Sequence, residues 1–176
     1  MIKKSDMKRI KAVRLLILDV DGVMTDGRII YDDAGREEKN FDVQDGHGIK
    51  LLMRAGVDVA LLTSRESGVV RHRASNLGIS IVYQGYKEKL QAFNDILGKK
   101  ALRAEEVAVM GDDLVDLPVM KRAGFSIAVK NAVPEVKKMA RYVTRSEGGR
   151  GAVREAVELI LKAQGKWAGV LEYYMK

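Results

Sequence analysis

A chain of 176 residues that is 47% hydrophobic and 31% charged has the material for one soluble domain with a sizeable core. It contains no cysteine, which excludes disulfides, thiolate zinc sites, iron–sulfur clusters and cysteine nucleophiles, and its two histidines, His47 and His72, disfavour histidine-rich metal sites and Ser-His-Asp chemistry. A net charge of +7 with only 6% aromatics and no basic–aromatic interleaving fits an anionic small substrate better than nucleic acid. Met1 to Lys11 is basic without an apolar stretch behind it, so no secretory signal is visible and Lys3, Lys4, Lys8, Arg9 and Lys11 read as a solvated arm. No apolar run approaches the roughly 20 residues of a membrane span, so the expected setting is cytoplasmic, with no membrane partner. Leu15 to Leu18 is a continuous buried-strand signal. Arg28 to Val43, turning at Asp32-Asp33-Ala34-Gly35, reads as a β-hairpin flap placed after that strand. Further strand-length runs are Val57 to Leu62, Ile79 to Tyr83, Val107 to Met110 and Phe125 to Val129. Helical patterns alternate with them: His47 to Ala55, Gly68 to Leu77 and Lys87 to Leu97, closed by Gly56, Gly78 and Gly98. His47 is expected to cap or orient the start of its helix. The loop Gly148 to Gly151 leads into a last helix, Ala152 to Ala163. The alternation predicts an α/β fold, a doubly wound (Rossmann-like) parallel sheet, as a single domain over 1–176.

In an open parallel sheet, ligands bind beyond the carboxyl ends of the strands. The residues that follow the apolar runs are Asp19-Val20-Asp21-Gly22, Thr63-Ser64-Arg65, Gln84-Gly85-Tyr86 ahead of Lys87 and Lys89, and Gly111-Asp112-Asp113 with Asp116. Each aspartate alone could be a helix N-cap. Together they bring carboxylates to one edge, where they repel unless a cation is bound. Oxygen donors without His or Cys point to Mg²⁺. Neither G-x-x-x-x-G-K-[ST] nor G-x-G-x-x-G occurs, and the calcium-loop pattern fails at Gly22 and Val23.

Asp19-x-Asp21-Gly22, Thr63, Lys89 and Gly111-Asp112-Asp113 with Asp116 resemble the four motifs of the haloacid dehalogenase (HAD) superfamily, in order and in the right strand contexts. Leu16 to Gly27, Phe41 to Gly46, Tyr83 to Gly85 and Gly111 to Pro118 are similar, more narrowly, to the 3-deoxy-D-manno-octulosonate 8-phosphate (KDO 8-phosphate) phosphatase family. The likeness runs from Lys11 to about Ala163 and leaves Trp167, Tyr173 and Tyr174 without a place.

The resemblance implies a Mg²⁺-dependent phosphoric monoester hydrolase acting in lipopolysaccharide precursor synthesis. Asp19 would be the nucleophile, and Asp21 the acid and base toward leaving group and water. Asp19, the Asp21 backbone carbonyl and Asp112 would hold the metal; Asp113 and Asp116 would stand behind them, Asp113 supporting the metal's water or the lysine. Thr63 and Lys89 would hold the phosphoryl oxygens, with Lys89 chosen over Lys87 by family register alone. Sugar contacts implied are Asp21, Lys89, Asp42, Val43, Gln44, Asp45, Gly46, Lys50, Arg65 and Arg73, the two arginines suiting a carboxylate. About forty residues separate Asp21 from Thr63, too few for a large cap domain, so the hairpin is expected to be completed by neighbours in a homotetramer. The loop Gly148 to Gly151, with Arg154 behind it, could reach a cleft in cis or in trans. Competing expectations are a related nonulosonate 9-phosphate as substrate, phosphoryl transfer to an acceptor other than water, and a non-catalytic HAD-like regulatory domain. The intact acids argue against the last.

Overall fold

The computed structural model describes residues 3–176, so Met1 and Ile2 of the N-terminal segment and of the proposed domain lie outside the described residues. Six strands form one parallel sheet: β1 (Leu15–Leu18), β4 (Asp58–Leu62), β5 (Ile81–Tyr83), β6 (Val107–Gly111), β7 (Phe125–Ala128) and β8 (Tyr142–Val143). Their spatial order is β5-β4-β1-β6-β7-β8. From β1 the chain winds outward through β4 and β5, then crosses back to β6 and runs outward the other way. The strand order therefore reverses beside β1, and in open α/β sheets such a switch point, between the ends of β1 and β6 here, is where ligands bind. Leu18 pairs with Leu61 on one side and Met110 on the other, so Asp19, Leu62-Thr63 and Gly111-Asp112 emerge level with one another. Every residue of β1 is buried, as a strand covered on both faces requires.

The covering helices are α1 (Lys4–Lys11), α2 (Val43–Arg54), α3 (Gly68–Leu77), α4 (Lys89–Lys100), α5 (Leu117–Arg122), α6 (Pro134–Met139), α7 (Ala152–Ala163) and α8 (Trp167–Tyr174). α7 buries Ala152, Val153, Ala156, Val157, Ile160 and Leu161, one apolar stripe at helical spacing, against α2 and α1. No helix among the described residues is long and apolar enough to cross a membrane.

Four expectations change. The basic N-terminal segment is a helix rather than a solvated arm: α1 buries Ile10 and Asp6, and Asp6 pairs with Arg141 at 3.1 Å. Gly98 lies inside α4, which continues to Lys100 and ends at Ala101 in the left-handed region (φ 50°). Leu102 is buried there and bonds back to the Leu97 carbonyl at 3.0 Å, and that anchor overrides the glycine stop. The hairpin is much shorter than Arg28 to Val43: β2 (Ile30–Tyr31) and β3 (Glu37–Glu38) pair antiparallel. Asp42 instead caps α2, its carboxylate accepting from Gln44 N at 2.7 Å and Asp45 N at 2.9 Å, which starts the helix four residues before His47. His47 thus lies within α2, exposed, with its ring edge-on to Tyr174 at 5.6 Å. α8 also gives Trp167 a place, beneath the Lys162 and Arg154 side chains.

Candidate active site

Asp19 follows β1 directly, and its N–H donates to the Met110 carbonyl of β6 at 3.1 Å. Lys89 enters from the first turn of α4, its side chain 1% exposed, and its Nζ lies 2.5 Å from Asp19 Oδ1 and 2.6 Å from Asp116 Oδ1. The other Asp116 oxygen accepts the N–H groups of Asp112 (3.0 Å) and Asp113 (3.3 Å), so Asp116 is fully engaged in building the loop. Carboxylate oxygens of Asp19, Asp112 and Asp116 all lie within 4.8 Å of one another. Asp112 is raised to about 8 by burial and by the neighbouring charges of Asp19, Asp116 and Asp113. Asp19 is raised to about 7 by burial, against the pull of Lys89 and with a further push from Asp116. Burial lowers Lys89, but Asp19 and Asp116 outweigh it and its pKa is raised. Gly22 holds this geometry for two reasons. Its φ is +98°, and a Cβ there would fall 2.1 Å from Asp112 Oδ2.

Thr63, buried at the end of β4, accepts the Arg65 N–H on its hydroxyl oxygen at 3.2 Å, leaving the hydroxyl proton free to donate. Asp21 ion-pairs with Lys39, and the Arg65 Nε stands 3.8 Å from its other oxygen. Asp113 is exposed, and its carboxylate caps the short 3₁₀ turn Leu114–Asp116 through Leu114 N (2.7 Å); the residue that meets Lys89 is Asp116.

The sugar-side residues divide. Val43 and Gln44 are exposed at the start of α2, and Lys50 is half-buried further along it. Asp45 is buried, accepts Arg154 N at 2.7 Å and Gly151 N at 3.3 Å, and thereby ties α2 to the start of α7; burial raises it to about 6. Gly46 packs against Arg73, whose guanidinium lies over the Phe41 ring at 5.3 Å and donates to the Asp42 carbonyl at 3.2 Å. Asp45, Gly46 and Arg73 thus have partners inside the fold. Arg65 donates through one terminal nitrogen, Nη2, to Tyr31 (3.2 Å) and Glu37 (2.9 Å) of the hairpin. Sequence reasoning missed Glu37 and Lys39. The glycine loop packs in cis: Gly149 N donates to the Val23 carbonyl at 2.9 Å, and a Cβ on Gly148 would lie 1.7 Å from the Gly22 carbonyl oxygen. Arg150 beyond it lines a cavity of about 390 Å³ with Asp26, Asn40, Asp42 and Gly149.

The fold and its acid cluster are those of a HAD-type hydrolase, and residues 81–156 match the family model of haloacid dehalogenase-like hydrolases. The KDO 8-phosphate phosphatase KdsC of Escherichia coli K12 is 51% identical over 154 residues, covering 88% of this chain and 82% of that protein. Among solved structures, a probable YrbI family phosphatase from Pseudomonas syringae pv. phaseolica superposes with a TM-score of 0.97 at 43% identity, over 99% of both chains. The Moraxella catarrhalis KDO 8-phosphate phosphatase, solved with a magnesium ion, a phosphate ion and KDO, superposes with a TM-score of 0.95 at 39% identity, over 98% of this chain and 99% of that one. The chain belongs to the KDO 8-phosphate phosphatase family and is a phosphoric monoester hydrolase.

Proposed function

We propose that this protein hydrolyses KDO 8-phosphate to KDO and inorganic phosphate in the cytoplasm, with Mg²⁺, as a step of lipopolysaccharide precursor synthesis. The observation that carries this is the buried Asp19–Lys89–Asp116 cluster with Asp112 beside it, in a chain of this family. The donor set fits Mg²⁺: it offers only hard oxygens, the acids crowd within 4.8 Å, and among the described residues no group donates to the Asp112 carboxylate. Bound by the Asp19 and Asp112 carboxylates and the Asp21 carbonyl, Mg²⁺ would neutralise these acids and the substrate phosphate. The Asp19 carboxylate attacks phosphorus, forming the aspartyl-phosphate bond as the ester P–O bond breaks. Asp21 gives its proton to the departing sugar oxygen. It then takes a proton from the water that attacks phosphorus and releases Asp19. Thr63 donates to one phosphoryl oxygen, and Lys89, delivered charged to the Asp19 carboxylate, holds another. Asp116 keeps Lys89 and the Asp112 loop in place.

On the sugar side, the exposed Gln44 and the half-buried Lys50, Arg65 and Arg73 are the candidate contacts to a sugar acid, and Arg150 adds a further guanidinium. The test is phosphate release from KDO 8-phosphate, a nonulosonate 9-phosphate and a neutral hexose 6-phosphate, each with Mg²⁺ or with chelator. KDO 8-phosphate should exceed the neutral sugar in kcat/KM by at least about tenfold, the scale of one recovered charged contact, and chelator should remove the activity. Equal kcat/KM values would overturn the substrate, and a preference for the nonulosonate would reassign it.

The hairpin supports assembly as a homotetramer. Glu37 and Lys39 dock the hairpin on its own domain; Tyr31, paired with Glu37 and on the same face, still stays 58% exposed, with Ile29 51% and Val43 79% exposed. Sedimentation at micromolar concentration should give a tetramer, which Ile29→Lys should split; a monomeric parent protein ends this reading.

A further inference from the structure

Outside the Asp19 cluster, the most deeply buried ammonium among the ion pairs belongs to Lys39, whose side chain is 1% exposed. It lies in the four-residue stretch between β3 and α2 and reaches back to Asp21 Oδ1, with Glu37 Oε1 at 3.1 Å on its other side. Glu37 is itself saturated: Ser67 Oγ donates to Oε2 at 2.5 Å and Arg65 Nη2 to Oε1 at 2.9 Å. The Ser67 N–H is taken by Gln84 at 2.8 Å. The second acid of the D-x-D loop is thereby tied to the hairpin and, through it, to the loops after β4 and β5. A buried ion pair is a poor source of stability, since an apolar group of similar volume usually does as well or better. A lysine here needs another reason, and the atom it grips supplies one.

We infer that Lys39 is a positioning residue for Asp21: it grips Oδ1 and fixes the carboxylate's orientation, so that Oδ2, which has no hydrogen bond among the described residues and stands 3.8 Å from Arg65 Nε, is the oxygen turned to the leaving group. Glu37 holds Lys39 in the clamp and offsets part of its charge. The inference rests on the proposed role of Asp21 as acid and base. It predicts a fault of a particular kind. A sugar alkoxide needs protonation to leave, whereas a nitrophenolate does not.

The test compares KDO 8-phosphate with p-nitrophenyl phosphate in Lys39→Met, after circular dichroism and melting establish the fold. On the sugar ester kcat should fall about 100-fold with KM changed by less than about threefold, while kcat on the aryl ester should fall by less than about threefold. Lys39→Arg should recover part of the loss. Asp21→Asn must show the same split; if it does not, the role given to Asp21 fails, and the clamp with it. Equal losses on both esters in Lys39→Met, with the split intact in Asp21→Asn, overturn the clamp alone. So does a loss confined to KM for the sugar ester, because Lys39 would then serve only to hold the hairpin. Should Lys39→Met not fold, Glu37→Gln takes its place, with about a tenfold fall on the sugar ester alone expected and equal falls overturning the inference. Should the parent enzyme leave KDO 8-phosphate intact, the functional reading fails and a hexose 6-phosphate serves as the alkyl ester in the same comparison.

Discussion

Asp19→Asn is expected to abolish phosphate release while leaving the fold in place. Only Asp19 combines a buried position at the end of β1 with a charged lysine 2.5 Å away, and an amide in its place cannot attack phosphorus. Asp19 is the proposed nucleophile and works as part of a unit, so its loss should cost at least about 10⁴-fold in kcat, because the remaining groups cannot substitute for it. Stability should move the other way. Asparagine keeps the volume and removes a carboxylate whose ionisation is opposed by burial and by Asp116, while Lys89 retains Asp116 as its partner. The melting temperature of the metal-free variant should therefore equal or exceed that of the parent, in line with the trade between activity and stability at strained sites. Phosphate release in saturating Mg²⁺ is the measurement. A variant within tenfold of the parent would show that the nucleophile lies elsewhere.

Much of this fold was legible because its signals are local. β1 is an unbroken apolar run, and its observed bounds coincide with that run. α3 and α7 also start and stop where Gly68, Leu77, Ala152 and Ala163 indicated. What failed was decided at a distance. Nothing near Gly98 announces that the burial of Leu102 will carry α4 beyond it. Nothing in the basic run at the N-terminus shows that Ile10 will reach the core or that Asp6 will meet Arg141, 135 positions away. The two-residue β8 and the six-residue α5 and α6 are too short to leave a readable period.

The site follows the same rule. Asp19, Thr63, Lys89 and Asp112 sit at strand ends or helix starts, where topology alone sends them to one edge. The division of labour between Asp113 and Asp116 was hidden, because it depends on one 3₁₀ turn that swings Asp116 inward and leaves Asp113 capping outside. Sequence shows the polar character of Asp45 and Arg73 but not their neighbours: Asp45 also ties α2 to the start of α7, and Arg73 also lies over Phe41. Lys39 was invisible for the opposite reason. It lies in an irregular segment, and its partner Asp21 is 18 positions away with no periodic relation to it.

Lys89→Met should be the most damaging single substitution for stability in the site, and its damage should depend on pH. In the parent, one buried ammonium serves two buried carboxylates, at 2.5 and 2.6 Å. Removing it leaves Asp19 and Asp116 without a cation, a loss of about 3–5 kcal/mol for a broken buried pair. The sign with pH follows from where the acids titrate. Asp19 at about 7 and Asp112 at about 8 lie above the ordinary 3.8, so the folded protein keeps protons that the unfolded chain releases. The contribution of these groups to stability therefore declines from about pH 4 to about pH 8 and levels off above, where the full penalty of ionising them is present. Without Lys89 the largest opposition to that penalty is gone, and the decline deepens. Unfolding free energies of the metal-free proteins, from denaturant titrations, should thus differ little near about pH 5 and by roughly 3–5 kcal/mol near about pH 8. Mg²⁺ should stabilise the variant itself at the higher pH, by about 2.7 kcal/mol at a hundred times its Kd, by supplying charge to the same acids. A difference that stays constant across this range would mean that Lys89 supports the fold through its packed stem, and that the acids it touches are not the groups whose charge it holds.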